Sequence, residues 1–208
     1  NLYVGDEDSI DAELIPNEAG DIIFTSSDES VVTVDANGNL VAVGEGEAEI
    51  TISFAGNNMY NPSETVVNVN VSKKSVRIEL MSNDTLELKV GDEEKIIAYI
   101  IIDDGSEMIP FDLFDSLEYN VASDDDVSAD DIVEVDNEGN VKAVGEGEAT
   151  IVISFSGNDM YEAAADVEVS VTVSMIETSI KINGNSSFEL FVGDEDSIDA
   201  ELDPDDAG

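Results

Sequence analysis

The side chains of this chain that could do chemistry are almost all carboxylates. Asp and Glu number 50 against seven Lys and Arg, and neither His nor Cys occurs. Nucleophile systems of the Ser-His and Cys-His type are therefore excluded, as is disulfide or redox chemistry. Paired carboxylates can serve a glycosidase, but among 50 acids chance neighbours abound and no pair is distinguished by its setting. No catalytic residue is assigned, and the chain is expected not to be an enzyme.

Oxygen-rich clusters are what Ca²⁺ coordinates. Two such groups stand out: Asp6, Glu7 and Asp8 with their copies Asp194, Glu195 and Asp196, and the run Asp124, Asp125, Asp126 followed by Asp130 and Asp131. Neither has EF-hand spacing. Calcium is accordingly the one cofactor the acids could hold, and none is required. Asn70, Asn83 and Asn185 head Asn-X-Ser/Thr glycosylation sequons. Asn83 and Asn185 lie 102 residues apart, the same spacing as Gly91 and Gly193, which puts both at one place in a repeating unit.

That repeating unit is legible throughout. Val4–Leu14 (VGDEDSIDAEL) recurs letter for letter at Val192–Leu202. The block Val32–Tyr60 returns with few changes at Val133–Tyr161, an offset of 101 residues. The Val-Gly-Asp-Glu mark appears at Val4, Val90 and Val192, so three successive units are phased. Between marks the second interval is longer: Ile96 to Asp136 carries 15 more residues than Ile10 to Asp35, which reads as one 15-residue insertion in the second unit. This phasing places one unit at residues 1–72 without its first strand, a complete unit at 75–174, and the start of a third at 175–208. The junctions, Ser72-Lys73-Lys74-Ser75 and Ser174-Met175-Ile176-Glu177, are short and lack Pro or Gly. Short junctions favour a stiff rod over a flexible string.

Within each unit, apolar and polar residues alternate with period two, as in Ala48–Phe54, Val67–Val71 and Val167–Val173. β-Branched residues dominate these runs. Gly and Asx clusters interrupt them at the spacing of hairpins, notably Asp35–Asn39 and Asp136–Asn140. The fold class is all-β, in the form of tandem sandwiches. The segment Phe111–Tyr119 is the best helical stretch, and it is short.

Phe24–Asp35, the Val-Gly-Asp mark before it and Gly38–Ala48 after it together resemble the bacterial Ig-like group 2 family. Members of that family commonly have Trp where Phe24 stands here. The resemblance covers both main units and implies tandem Ig-like β-sandwich domains of the kind found in intimin- and invasin-type surface adhesins. The composition, rich in Ile and Asn and poor in Lys, is also similar to that of adhesin-like proteins of methanogenic archaea. The resemblance implies an extracellular, cell-surface location and does not name a ligand.

The formal charge of −43 opposes binding to nucleic acid or anionic lipid. No run approaches the roughly 18 apolar residues that a membrane span needs, so direct membrane insertion is not expected of this segment. Any targeting and anchoring sequences are expected outside it. The leading expectation is a non-enzymatic, adhesin-like structural protein whose repeats form an acidic extended stalk. Its partners would be neighbouring repeats or copies of itself end to end, and a host or cell-surface ligand. The alternative is a self-assembling extracellular filament subunit, joined head to tail by strand complementation. In that case Ile176–Leu190 would fill the place of the strand the first unit lacks.

Overall fold

A computed structural model of the chain describes residues 1–103, 117–122, 131–184 and 186–203. The strands in chain order are β1 (Leu2–Tyr3), β2 (Glu7–Ser9), β3 (Ile23–Ser26), β4 (Val32–Val34), β5 (Asn39–Ala42), β6 (Gly46–Phe54) and β7 (Ser63–Ser72). They continue as β8 (Val76–Leu80), β9 (Thr85–Lys89), β10 (Glu93–Lys95), β11 (Ala98–Ile102), β12 (Glu118–Ala122), β13 (Val133–Val135) and β14 (Asn140–Ala143). The last four are β15 (Gly147–Ser154), β16 (Val167–Ser174), β17 (Ser179–Ile182) and β18 (Ala200–Asp203).

The alternation read from the sequence is the alternation of burial. Along β6, Ala48, Ile50, Ile52 and Phe54 point inward while Glu47 and Glu49 face solvent. Along β16, Val169, Val171 and Val173 are buried and the residues between them exposed. Strands such as β6 and β16 thus offer one apolar face, and two sheets close over it.

In the first repeat, a four-stranded sheet in the order β1-β7-β6-β3 faces a three-stranded sheet in the order β2-β5-β4. The second repeat reproduces both, as β9-β16-β15-β12 and β10-β14-β13. In each, the opening strand runs parallel to the closing one: Leu2 lies opposite Val71, and Leu88 opposite Val173. The hydrophobic cores are separate. One is built around Val32, Ile50 and Val71, the other around Val133, Ile151, Ile153 and Val169, all with relative exposure at or below 1%. The all-β sandwich fold expected from the sequence is present.

Two details differ from the sequence reading. The 15 extra residues of the second repeat fall in two places rather than one. Phe24 pairs with Ile52 and Tyr119 pairs with Ile153, so Phe24 and Tyr119 are equivalent at an offset of 95. The offset is 86 at Ile10 and Ile96 and 101 at Asp35 and Asp136, which puts 9 added residues before Tyr119 and 6 after it. The strand pairing between the two additions is intact. The second difference concerns the helical candidate Phe111–Tyr119: its last two residues begin β12, held by the β15 ladder, and residues 111–116 lie outside the described residues.

The second repeat has a further pair of strands. β8 runs antiparallel to β11, with Ile78 opposite Ile100. β17 and β18 repeat this pair 102 residues on, with Ile180 opposite Leu202. The corresponding residues of the first repeat, Ala12–Ile15, pair with no strand among the described residues.

Candidate functional site

Three Asx turns carry the Val-Gly-Asp marks. The Asp6 amide donates to the Tyr3 carbonyl at 2.9 Å, and the Tyr3 amide donates back to Asp6 Oδ2 at 2.9 Å. The same reciprocal pair joins Asp92 to Lys89 and Asp194 to Phe191. Gly5, Gly91 and Gly193 supply the positive φ that such a turn needs. The carboxylate at this position is thus a turn lock in all three repeats. Asp8 and Asp196 make a more local bond, each accepting from the amide of the next residue.

The hairpin acids behave likewise. Asp35 Oδ1 accepts from the amides of Asn37 and Asn39, and its Oδ2 accepts from the Asn39 side chain at 2.7 Å. Asp136 does the same with Glu138 and Asn140. The side-chain amide of Asn39, then its backbone amide, holds the Asp35 carboxyl below the ordinary carboxylate range, and Asn140 does this for Asp136. Beyond each hairpin glycine lies an aromatic ring at the same repeat position: a Cβ on Gly38 would stand 3.1 Å from the Phe24 ring and 2.5 Å from the Ile10 carbonyl. On Gly139 it would meet the Tyr119 ring at 3.2 Å and the Ile96 carbonyl at 2.7 Å. Burial, and secondarily the charge of Asp136, pushes the Tyr119 hydroxyl up.

Among the described residues, no group of three or more carboxylates converges as a metal site. Asp124, Asp125 and Asp126 lie outside the described residues, as does Asn185. Asn70 is exposed on β7, opposite Glu47, and Asn83 is exposed in the connection between β8 and β9.

The feature that brings chemistry-bearing residues of both repeats together is the junction. Lys74 follows β7 and enters the second repeat's loop between β15 and β16. Its amide donates to the Met160 carbonyl at 3.0 Å, and its carbonyl accepts from the Glu162 amide at 3.0 Å. Ser75 Oγ donates to Glu162 Oε2 at 2.6 Å. The Lys74 ammonium then reaches back to the first repeat, 4.0 Å from Asp6 Oδ1 and 6.0 Å from the centre of the Tyr3 ring. A Cβ on Gly5 would lie 3.2 Å from Met160 Cε, so the turn and the loop are in contact. Asp6, a calcium candidate, thus has a lysine beside it. Sequence reasoning missed Lys74, Met160 and Glu162. The repeat comparison carried no signal for them, because the residues equivalent to Lys73 and Lys74 at the next junction are Met175 and Ile176.

With the two-sheet geometry in view, the comparison with known proteins decides the first repeat. The model for the bacterial Ig-like domain (group 2) matches residues 3–58. This stretch is a group 2 bacterial Ig-like domain. The Ig-like chain is 29% identical over 123 residues to an uncharacterised protein of Clostridium acetobutylicum, a match covering 55% of this chain and 30% of that protein. It therefore spans less than a third of that relative's length. Among solved structures it is similar to domains 4 and 5 of the S-layer protein SbsC, at 20% identity over 74% of this chain and 71% of that one, with a TM-score of 0.37. It is also similar to the fibronectin(III)-like modules of Clostridium thermocellum CbhA, at 13% identity over 84% and 88% of the two chains, with a TM-score of 0.35. No helix among the described residues is long and apolar enough to cross a membrane.

Proposed function

We propose that this chain is a non-enzymatic, adhesin-like structural protein of the cell surface, in which tandem Ig-like repeats form an extended acidic stalk. The observation that carries this reading is the backbone engagement of Lys74 by the loop of the following repeat. Two main-chain hydrogen bonds and the Ser75–Glu162 bond hold the linker against the second sandwich. A linker tied down in this way transmits orientation from one repeat to the next, which is what a spacer needs. The charge of −43 acts in the same direction, since like charges on neighbouring repeats resist folding back. The group 2 Ig-like match and the resemblance to intimin- and invasin-type repeats support an extracellular location. The partners of such a stalk are its own neighbouring repeats, and a host or cell-surface ligand presented to its tip. Small-angle scattering tests the reading. An elongated particle with a linear cross-section region is expected, and a compact globule would overturn it.

A further inference from the structure

The seven basic residues of the chain share one kind of placement. They are Lys73, Lys74, Arg77, Lys89, Lys95, Lys142 and Lys181, and residues 1–72 contain none. Arg77 lies on β8 opposite Ile101, Lys89 on β9 opposite Ser174, and Lys95 on β10 opposite Asn140. Lys142 sits on the central strand β14 between Glu93 and Glu134, and Lys181 on β17 opposite Glu201. Lys73 and Lys74 form the junction, where Lys74 bridges in parallel to Tyr161. None falls in the Asp35 or Asp136 hairpin or in the loops between β6 and β7 and between β15 and β16. The stretches 104–116 and 123–130 contain no Lys or Arg either.

The peptide bond that follows each of them is tied into the main-chain network. After Lys73, the Lys74 amide donates to the Met160 carbonyl; after Lys74, the Lys74 carbonyl accepts from the Glu162 amide. After Lys89, the Val90 amide donates to the Ser174 carbonyl at 3.0 Å, and the Lys89 carbonyl accepts from the Asp92 amide. The Ile96 amide, after Lys95, donates to the Gly139 carbonyl at 2.9 Å, and the Ala143 amide, after Lys142, to the Asp92 carbonyl at 2.9 Å. The bonds after Arg77 and Lys181 lie inside the β8–β11 and β17–β18 ladders. Hydrolysis needs a nucleophile at the carbonyl carbon and a proton delivered to the leaving amide nitrogen, one water being divided between the new carboxylate and the new amine. The enzyme must also draw the flanking residues into its cleft as an extended strand. While the same groups are held in a sheet neither can happen, so the ladder has to open first.

We propose that the folded repeats are closed to endopeptidases whose specificity pocket takes Lys or Arg, because every bond such an enzyme could cut lies in a ladder or in the bonded junction. The loops between strands carry other residues. Met59, in the loop between β6 and β7, is 82% exposed, and Asp159 and Glu162 lie outside any strand between β15 and β16. Enzymes that select large apolar or acidic residues therefore find their sites there. The protection comes from where the basic residues are placed and is independent of the stalk reading: a compact particle would lose the stalk and keep the resistance.

The test is limited digestion of the full 208-residue chain with trypsin, the cut sites being read by mass spectrometry. The same chain unfolded in urea and the variant Asn58→Lys are digested beside it. Asn58 is exposed in the loop between β6 and β7, and the amide after it is bonded by Asn57, two residues away, with no ladder involved. The unfolded chain should be cut after all seven basic residues. In the folded chain, cuts after Lys73, Lys74, Arg77, Lys89, Lys95 and Lys142 should be slower by about a thousandfold or more, since they wait for a repeat to open. Lys181 should be cut first, because a two-stranded ribbon is marginal alone. Asn58→Lys, with an unchanged circular dichroism spectrum, should be cut after position 58 at least about tenfold faster than wild type is cut at any of those six bonds. Wild-type cleavage at any of the six within about tenfold of the unfolded rate overturns the proposal. So does a folded Asn58→Lys that resists as well as wild type, since the placement of basic residues would then not be what protects the chain.

Discussion

The amide of Lys74 donates a 3.0 Å hydrogen bond to the carbonyl of Met160, 86 residues further along the chain. With the return bond from Glu162 to the Lys74 carbonyl, the linker becomes one more extended segment against the second repeat, bridged in parallel to Tyr161. The junction is held by main chain, and its side-chain contacts are secondary.

Lys74→Pro removes the donor at this position and is expected to loosen the junction. Scattering should then show a broader distribution of maximum dimensions, with both cores intact by circular dichroism. Lys74→Ala keeps the backbone bonds and loses a partly exposed ion pair at 4.0 Å and the approach to the Tyr3 ring at 6.0 Å. Its effect on stability should stay within about 0.5 kcal/mol. A rod that is unchanged by the proline would show that the backbone bonds do not set the orientation.

The two cores share no buried residue, so each should respond only to its own mutation. Ile50 and Ile151 are equivalent and fully buried. Replacing either with Ala should cost about 2–5 kcal/mol. Calorimetry should show Ile50→Ala lowering one transition and Ile151→Ala the other. Both transitions moving together would mean that the repeats unfold as one cooperative unit.

The hairpin aspartates link stability to acid. Asn39 and Asn140 hold the Asp35 and Asp136 carboxyls below their ordinary range in the folded chain. Their contribution is therefore fully present above the unfolded value of about 3.9 and is lost as pH falls through the lower folded value. Asp136→Ala should melt below wild type at pH 7, and the two curves should converge as pH falls through the lowered folded value. A gap of constant size across that range would remove the turn carboxylate as its cause.

Self-repulsion at −43 is screened by salt. The Debye length falls from about 30 Å at 0.01 M to about 3 Å at 1 M, so thermal stability should rise by several degrees across that range. Ca²⁺ and Mg²⁺ should raise it further, as divalent counterions to a strongly acidic chain. A saturable rise specific to Ca²⁺ would point to one of the acidic clusters, the mark acids or Asp124–Asp126, as a site.

Local patterns made much of this fold legible. Ala48–Phe54 and Val167–Val173 announce their inward faces residue by residue. Asp35–Asn39 closes a turn with contacts spanning four residues. The equivalence of Phe24 and Tyr119 was not legible, because additions on both sides hide it and only the ladders to Ile52 and Ile153 restore the register. The junction was hidden for a different reason. Lys74 is one of six lysines, and its partners are carbonyl and amide groups, which every residue possesses.

By itself, the sequence determined the all-β class, the repeat phase, the hairpins and the acidic surface. Each depends on side-chain type at short spacing, or on copies compared letter by letter. Tertiary structure alone decided which strands lie side by side, how Lys74 joins two sandwiches, and that Ser179–Ile182 pairs with Ala200–Asp203. Those outcomes rest on main-chain hydrogen bonds between residues far apart in the chain. The main chain is the same at every position, so only the folded arrangement says which amide meets which carbonyl.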